Sequence, residues 1–209
     1  MLPKLPLLLA LATPLIGCRQ LPYPEQSGSS SALEVHYSPA ENLEALDSAT
    51  LRDAHSSIDL CAYSLTDHAL TDAIASAASR GVRVRIYLDR VQTLGELART
   101  ERTRTTREPY DPEQELLTPA DTDVLRQLAA TPNVTIRVKH SRTLMHLKSY
   151  LVDGSILRSG SANLSPTGEK RQDNDLTFTR DRASIENFSA NFDRLWNRRD
   201  NEPLAEIRQ

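Results

Sequence analysis

The order of apolar and polar positions divides the chain into alternating strands and helices. Residues 34–38 (Glu-Val-His-Tyr-Ser) alternate at the two-residue period of a strand and stop at Pro39. Residues 41–55 place Leu43, Leu46, Leu51 and either Ala49 or Thr50 on one face, which predicts a helix. Residues 57–63 read as a strand. Thr66 or Asp67 can cap a helix over 69–79, and Gly81 suits the left-handed position that ends it. Residues 82–89 alternate strictly at their start and predict a strand. A helix over 121–130 and a strand over 133–139 follow. Residues 145–153 and 155–159 form two short strands joined by the Asp153-Gly154 turn. A last helix over 183–197 carries Ile185, Phe188, Phe192, Leu195 and Trp196 at helical spacing, a stripe that belongs to a core. Strands alternating with helices predict an α/β fold, a layered α-β-α sandwich around a central mixed β-sheet.

Two stretches break the rhythm. Residues 92–120 carry Arg99, Arg102, Arg104 and Arg107, then Pro109, Pro112 and Pro119. A connection this long is usually functional or mobile. Glu96, Glu101, Glu108 and Asp111 balance the arginines, so a solvated loop and a phosphate-guiding lid both stay open. After Arg198 the chain reads as a polar tail, 199–209, which leaves 33–198 as the folded domain.

The N-terminal segment has its own logic. Lys4 precedes an apolar run from Leu5 to Ala12, and Pro14 interrupts it before Leu15-Ile16-Gly17-Cys18. This predicts a secretory signal over 1–17 rather than a membrane-spanning helix. The four residues ending at Cys18 resemble a bacterial lipobox, which implies lipidation of Cys18 and a membrane anchor. With Arg19 next, the implied destination is the cell envelope, a lipoprotein on the periplasm-facing outer membrane where two membranes exist. Residues 18–32, with Pro22, Pro24 and Ser27-Gly28-Ser29-Ser30-Ser31, read as a flexible tether. Lipidation would leave Cys61 as the one remaining cysteine, with no intrachain disulfide available, and its apolar neighbours predict a buried, inert thiol.

Composition adds limits. A hydrophobic fraction of 39% and a charged fraction of 25% are ordinary for a soluble domain. The net charge of −3 offers no global attraction for nucleic acid, so any phosphate-binding surface must be local. Aromatic residues are 5% of the chain, and no aromatic-rich patch for docking a bilayer is visible. The histidines are scattered, no metal-ligand spacing appears, and neither a Gly-rich nucleotide loop nor a G-x-S-x-G elbow is present, so no metal and no cofactor is expected.

The chemistry concentrates within twenty residues. His146 and Lys148 stand two apart, so on a strand both leave by one face. Asp153 ends that strand, and Ser161, Asn163 and Ser165 follow the next one. A neutral imidazole is a competent nucleophile near neutral pH, and a fixed ammonium offsets charge on a phosphate. His36 reads as strand surface or cleft wall; His55, His68 and His140 read as solvent-facing.

His146-x-Lys148-x4-Asp153 with Gly160-Ser161-x-Asn163-x-Ser165 resembles the signature of the phospholipase D superfamily. Residues 35–39, 58–65 and 77–84 are similar to its single-motif, Nuc-type endonuclease branch, and the resemblance spans about residues 33–197. It implies a metal-independent phosphodiesterase with a phospholipase D-like fold. One histidine attacks phosphorus to form a phosphohistidine, and a second protonates the leaving oxygen and then activates water. His146 would be the nucleophile. Lys148, Ser161 and Asn163 would bind the non-bridging oxygens, and Asp153 would be structural. The resemblance places an orienting carboxylate before an asparagine, which selects Asp173, with Asp175 as its rival. One motif supplies half a site, so a homodimer that brings two His146 side chains into one cleft is implied. Non-specific endonuclease is the leading substrate reading. A phospholipase D or phospholipid transphosphatidylase and a non-catalytic binding lipoprotein are the alternatives.

Overall fold

The computed structural model describes residues 33–106 and 124–207, with residues 99–106 described as backbone only. The signal and tether expected over 1–32 therefore lie outside the described residues, as does the second half of the arginine- and proline-rich stretch.

One eight-stranded sheet carries the fold. Its strands are β1 (Glu34–Ser38), β2 (Ser57–Ala62), β3 (Arg83–Leu88), β4 (Val134–Val138), β5 (Lys148–Val152), β6 (Ile156–Gly160), β7 (Asn174–Thr179) and β8 (Glu202–Pro203), in the spatial order β1-β7-β6-β5-β2-β3-β4-β8. β2, β3 and β4 run parallel, while the other pairings are antiparallel, so the sheet is mixed. Among the described residues the α-helices are α1 (Leu43–Arg52), α2 (His68–Ser79), α3 (Arg90–Thr106), α4 (Val124–Ala130), α5 (Pro166–Lys170) and α6 (Arg182–Trp196).

The two-residue period of the strands builds two cores. Ile58, Leu60 and Ala62 of β2 and Val84, Ile86 and Leu88 of β3 face the main core with α1, α2 and α4. The intervening Cys61 and Tyr87 face the other way and join Met145, Phe192, Leu195 and Trp196 in a smaller core under α6. The sheet thus lies between helical layers, as the pattern predicts. Cys61 is fully buried, and burial pushes its thiol up to about 12, so it is inert as expected. Among the described residues no helix is long and apolar enough to cross a membrane.

Side chains fix the helix starts. Asn42, Asp67 and Asp181 accept from the backbone N–H of Ala45, Leu70 and Ser184, which satisfies donors that the first helical turn cannot. The α6 stripe is core: Phe192, Leu195 and Trp196 are buried, and Arg85 and Arg137 lie over the Trp196 ring with guanidinium carbons 5.6 and 4.7 Å from its centroid.

The structure corrects three expectations. The stretch from 92 is not a loop at its start, because α3 continues as helix to Thr106; the arginines that suggested a loop suit a helix equally well. The tail after Arg198 is not free: Glu202–Pro203 pairs with Arg137 and Val138 at the edge of β4, and Leu204 is buried. A two-residue edge strand containing Pro leaves no periodic signal. β7 was also missed. At its start Asp173 and Asp175 were read for chemistry, although Leu176 and Phe178 alternate into the core.

Candidate functional site

The antiparallel pairing of β5 with β2 and β6, and of β6 with β7, brings four ends together: the start of β5, the end of β2, the end of β6 and the start of β7. The predicted site residues collect there, apart from Asp153.

His146 sits in the segment just before β5, which begins at Lys148, three residues later than expected, and ends at Val152, one residue earlier. Buried groups hold this segment on both sides. The Asp89 carboxylate caps the start of α3 through Gln92 N–H (2.9 Å) and accepts Met145 N–H (2.7 Å) with its other oxygen. Tyr63 N–H donates to the Leu147 carbonyl at 2.9 Å. Lys139 Nζ donates to the carbonyls of Thr143 and Leu144. The backbone around His146 is therefore fixed while its imidazole stays exposed. The ring meets Tyr63 edge-to-face at 4.7 Å between centroids.

Lys148 is 5% exposed. Its ammonium lies 4.9 Å from the centroid of the same Tyr63 ring and donates to the His146 carbonyl at 2.9 Å. Burial, with the nearby Arg158 cation second, brings its pKa down to about 8.

The Gly160–Ser165 turn is pinned to β7. Gly160 has φ +152, and a Cβ there would stand 2.4 Å from the Asp175 carbonyl oxygen, so only glycine admits this approach. Ser161 Oγ accepts Asp175 N–H at 2.9 Å, and Ser161 N–H donates to Asp175 Oδ1 at 3.1 Å. The Ser161 contact holds the Asp175 carboxyl below its usual range. Asn163 has a buried side-chain oxygen that no donor among the described residues reaches. Ser165 caps α5 by accepting Gly168 N–H at 3.2 Å.

Asp173 stands exposed just before β7 and lines an open cleft with Tyr37, Ser38, Ser161, Asn174 and Asp175. The structure brings it to the same end of the sheet as Ser161 but does not join it to the imidazole. Among the described residues neither Asp173 nor Asp175 hydrogen-bonds the His146 ring. Asp175 is committed to Ser161 instead.

Asp153 lies at the opposite end of β5. Its carboxylate accepts from His55 N–H (2.9 Å), Ser56 N–H (2.7 Å), Ser56 Oγ (2.8 Å) and Ser57 N–H (2.9 Å). Its φ of +52° is the left-handed turn that Asp tolerates. Burial alone would raise its pKa, but these donors outweigh it and hold the group down to about 2. The depressed pKa means the stabilisation is present above about pH 4 and is lost as pH falls through about 2. Asp153→Ala should cost about 2 kcal/mol, the sum of a lost cap and a left-handed alanine; urea unfolding at pH 7 checks this, and at pH 2 the difference should shrink.

Of the other histidines, His36 bonds Glu41 at 2.7 Å on β1, and His55 and His140 are exposed. His68, expected in solvent, is half-buried at the start of α2. Sequence reasoning missed Tyr63, Asp89 and Arg158. Asp89 and Arg158 carried a signal: each is a charged residue within or just after a short apolar strand.

Comparison with known proteins agrees with this fold. Residues 48–196 match the family model described as cardiolipin synthase, PLD-like domain. A mitochondrial cardiolipin hydrolase from Chlamydomonas reinhardtii is 26% identical over 163 residues, 78% of this chain, and the chain spans only 60% of that relative. The crystal structure of the phospholipase D family member Nuc from Salmonella typhimurium superposes with a TM-score of 0.62 at 21% identity, covering 82% of this chain and 97% of Nuc. NucT from Helicobacter pylori does so with a TM-score of 0.61 at 19% identity, covering 82% of this chain and 98% of NucT. With the matched model covering most of the folded residues and the sheet and helical layers in common, the chain belongs to the phospholipase D-like domain family.

Proposed function

We propose that the protein is a metal-independent phosphodiesterase that works through a phosphohistidine at His146. One observation carries this reading: an exposed imidazole on an immobilised backbone, sharing the Tyr63 ring with a nearly buried lysine. An imidazole nitrogen of His146 attacks phosphorus, and the P–O bond to the leaving alcohol breaks. The second histidine gives that alkoxide its proton. Water then attacks the phosphohistidine, loses a proton to the second histidine, and breaks the P–N bond. Lys148 offsets the charge on the non-bridging oxygens. The Ser161 hydroxyl and the Asn163 amide are the next donors to the same oxygens.

The second histidine is His146 of another copy. Leu144 (55% exposed), Leu147 and Val91 project from the same end of the sheet, and a twofold contact there would cover them. Asp173 is proposed to orient an imidazole across that contact, since it does not reach the one in its own subunit.

The substrate proposed first is a nucleic-acid strand cut without base preference, which needs only phosphate recognition. A second reading has a specific observation behind it. Asp173 and Asp175 line the cleft with Tyr37, a setting that repels a polyanion and receives a cationic headgroup of a phospholipid. Lipidation of Cys18 and attachment to the cell envelope, on the periplasm-facing outer membrane, complete the proposal; the mass of the mature N-terminal peptide tests it.

Because histidine and lysine supply the chemistry, hydrolysis should survive EDTA undiminished. Plasmid DNA, single-stranded RNA and phosphatidylcholine vesicles assayed side by side in EDTA separate the substrate readings. Loss of activity that magnesium restores would refute the metal-independent mechanism.

A further inference from the structure

Behind Lys148 lies a charge that the chemistry above does not use. Arg158 of β6 is completely buried, which is costly for a guanidinium unless every donor is matched. Its Nε donates to both oxygens of Asp47 on α1 (3.2 and 3.1 Å). Its Nη2 lies 2.8 Å from Asp47 Oδ2 and 3.1 Å from Glu169 Oε1 on α5. Tyr150 O–H donates to Asp47 at 2.7 Å. Burial, then the Asp47 charge, push Glu169 up to about 9.

The remaining nitrogen makes the functional link. Nη1 donates to the Lys148 carbonyl at 2.7 Å and to the Ala162 carbonyl at 3.2 Å. The first carbonyl belongs to the phosphate-binding lysine itself, and the second lies between Ser161 and Asn163. One atom therefore ties together the two backbone segments that present the phosphate donors. A hydrophobic residue would fill the space without the desolvation cost, but would leave those carbonyls unpaired and the two segments independent.

We propose that Arg158 is a positioning residue that sets the spacing of Lys148 against the Ser161–Asn163 turn and so preorganises the phosphate site. The inference rests on the phosphodiesterase reading for its rate readout only. The groups around the Lys148 side chain are the Tyr63 ring from the end of β2, the His146 carbonyl of its own segment, and Arg158 from β6, itself paired with Asp47 and Glu169. Arg158 is the fixed cation among them, so its charge also bears on Lys148.

The test uses the full-length chain in detergent, with bis(4-nitrophenyl) phosphate as the diester probe. Arg158→Lys keeps the charge and loses the fork; Arg158→Met loses both. In Arg158→Lys, kcat should fall by about tenfold to a hundredfold, KM should change far less, and the alkaline limb of the pH profile should stay in place. In Arg158→Met, kcat should fall, and the alkaline limb and the NMR titration of Lys148 should both move to higher pH. A merely structural role would lower the folded fraction and leave the limb alone. Wild-type kcat in Arg158→Lys would overturn the proposal. So would a folded Arg158→Met whose limb and Lys148 titration do not move. If Arg158→Met does not fold, Arg158→Lys decides alone. If the wild-type chain hydrolyses no diester, the phosphodiesterase reading fails separately, and binding of inorganic phosphate measured by calorimetry takes over: about tenfold weaker binding in Arg158→Lys supports the positioning role, and equal binding overturns it.

Discussion

Replacing His146 with alanine should reduce phosphodiester turnover by a factor on the order of 10⁴ or more, since it removes the atom that forms the covalent intermediate. Stability should change by no more than about 1 kcal/mol, because the exposed ring gives up one edge contact with Tyr63. The segment that carries it is held by backbone bonds to Asp89 and Tyr63, which the substitution leaves intact. Steady-state hydrolysis of bis(4-nitrophenyl) phosphate and a thermal melt measure the two quantities. The proposed dimer sharpens the expectation. If each site needs both copies of His146, a mixed dimer with one alanine is also inactive. Activity after subunit exchange should then fall with the square of the wild-type fraction, where independent sites would give a straight line.

Lys148→Met should cost about 3 kcal/mol of transition-state stabilisation, roughly a hundredfold in kcat, by removing the fixed cation while keeping the stem against Tyr63. The effect on stability should have the opposite sign. A lysine whose pKa is lowered from 10.5 to about 8 disfavours the folded state wherever the unfolded chain keeps its proton. The penalty is complete below about pH 8 and fades as pH rises from there towards 10.5. Wild-type stability should therefore rise across that window, and Lys148→Met should be at least as stable as wild type at pH 7 and flat across it. Activity should move against stability, falling above about pH 8 as the cation is lost. Urea unfolding at several pH values, beside a pH–rate profile, tests both signs.

The site was legible where the chemistry is local. His146, Lys148, Ser161 and Asn163 lie within eighteen positions, and two antiparallel strands joined by a tight turn must bring their ends together. Asp153 fills a short-range turn, and its ties to residues 55–57 cross the sheet to a strand that periodicity had already found. What escaped depends on distant parts of the chain. Asp47 and Arg158 are 111 positions apart and meet only because α1 lies over β6. Asp89 reaches Met145 across 56 positions. No periodicity encodes such pairs. Asp173, which the resemblance selects for its place before Asn174, stands at the same end of the sheet as Ser161, but its exposed carboxylate makes no bond to the imidazole of its own chain, and a contact with another copy leaves no trace in one sequence. β7 and β8 were lost to composition, one dense in polar residues and one too short to show a period.

The measurement that bears most directly on the central claim is a rapid-quench experiment with a ³²P-labelled diester in EDTA, followed by peptide mapping. A phosphohistidine mechanism predicts an acid-labile, alkali-stable label on the peptide that contains His146, formed and lost at rates competent for turnover. Label on a different residue, or steady hydrolysis that persists in His146→Ala, would contradict it.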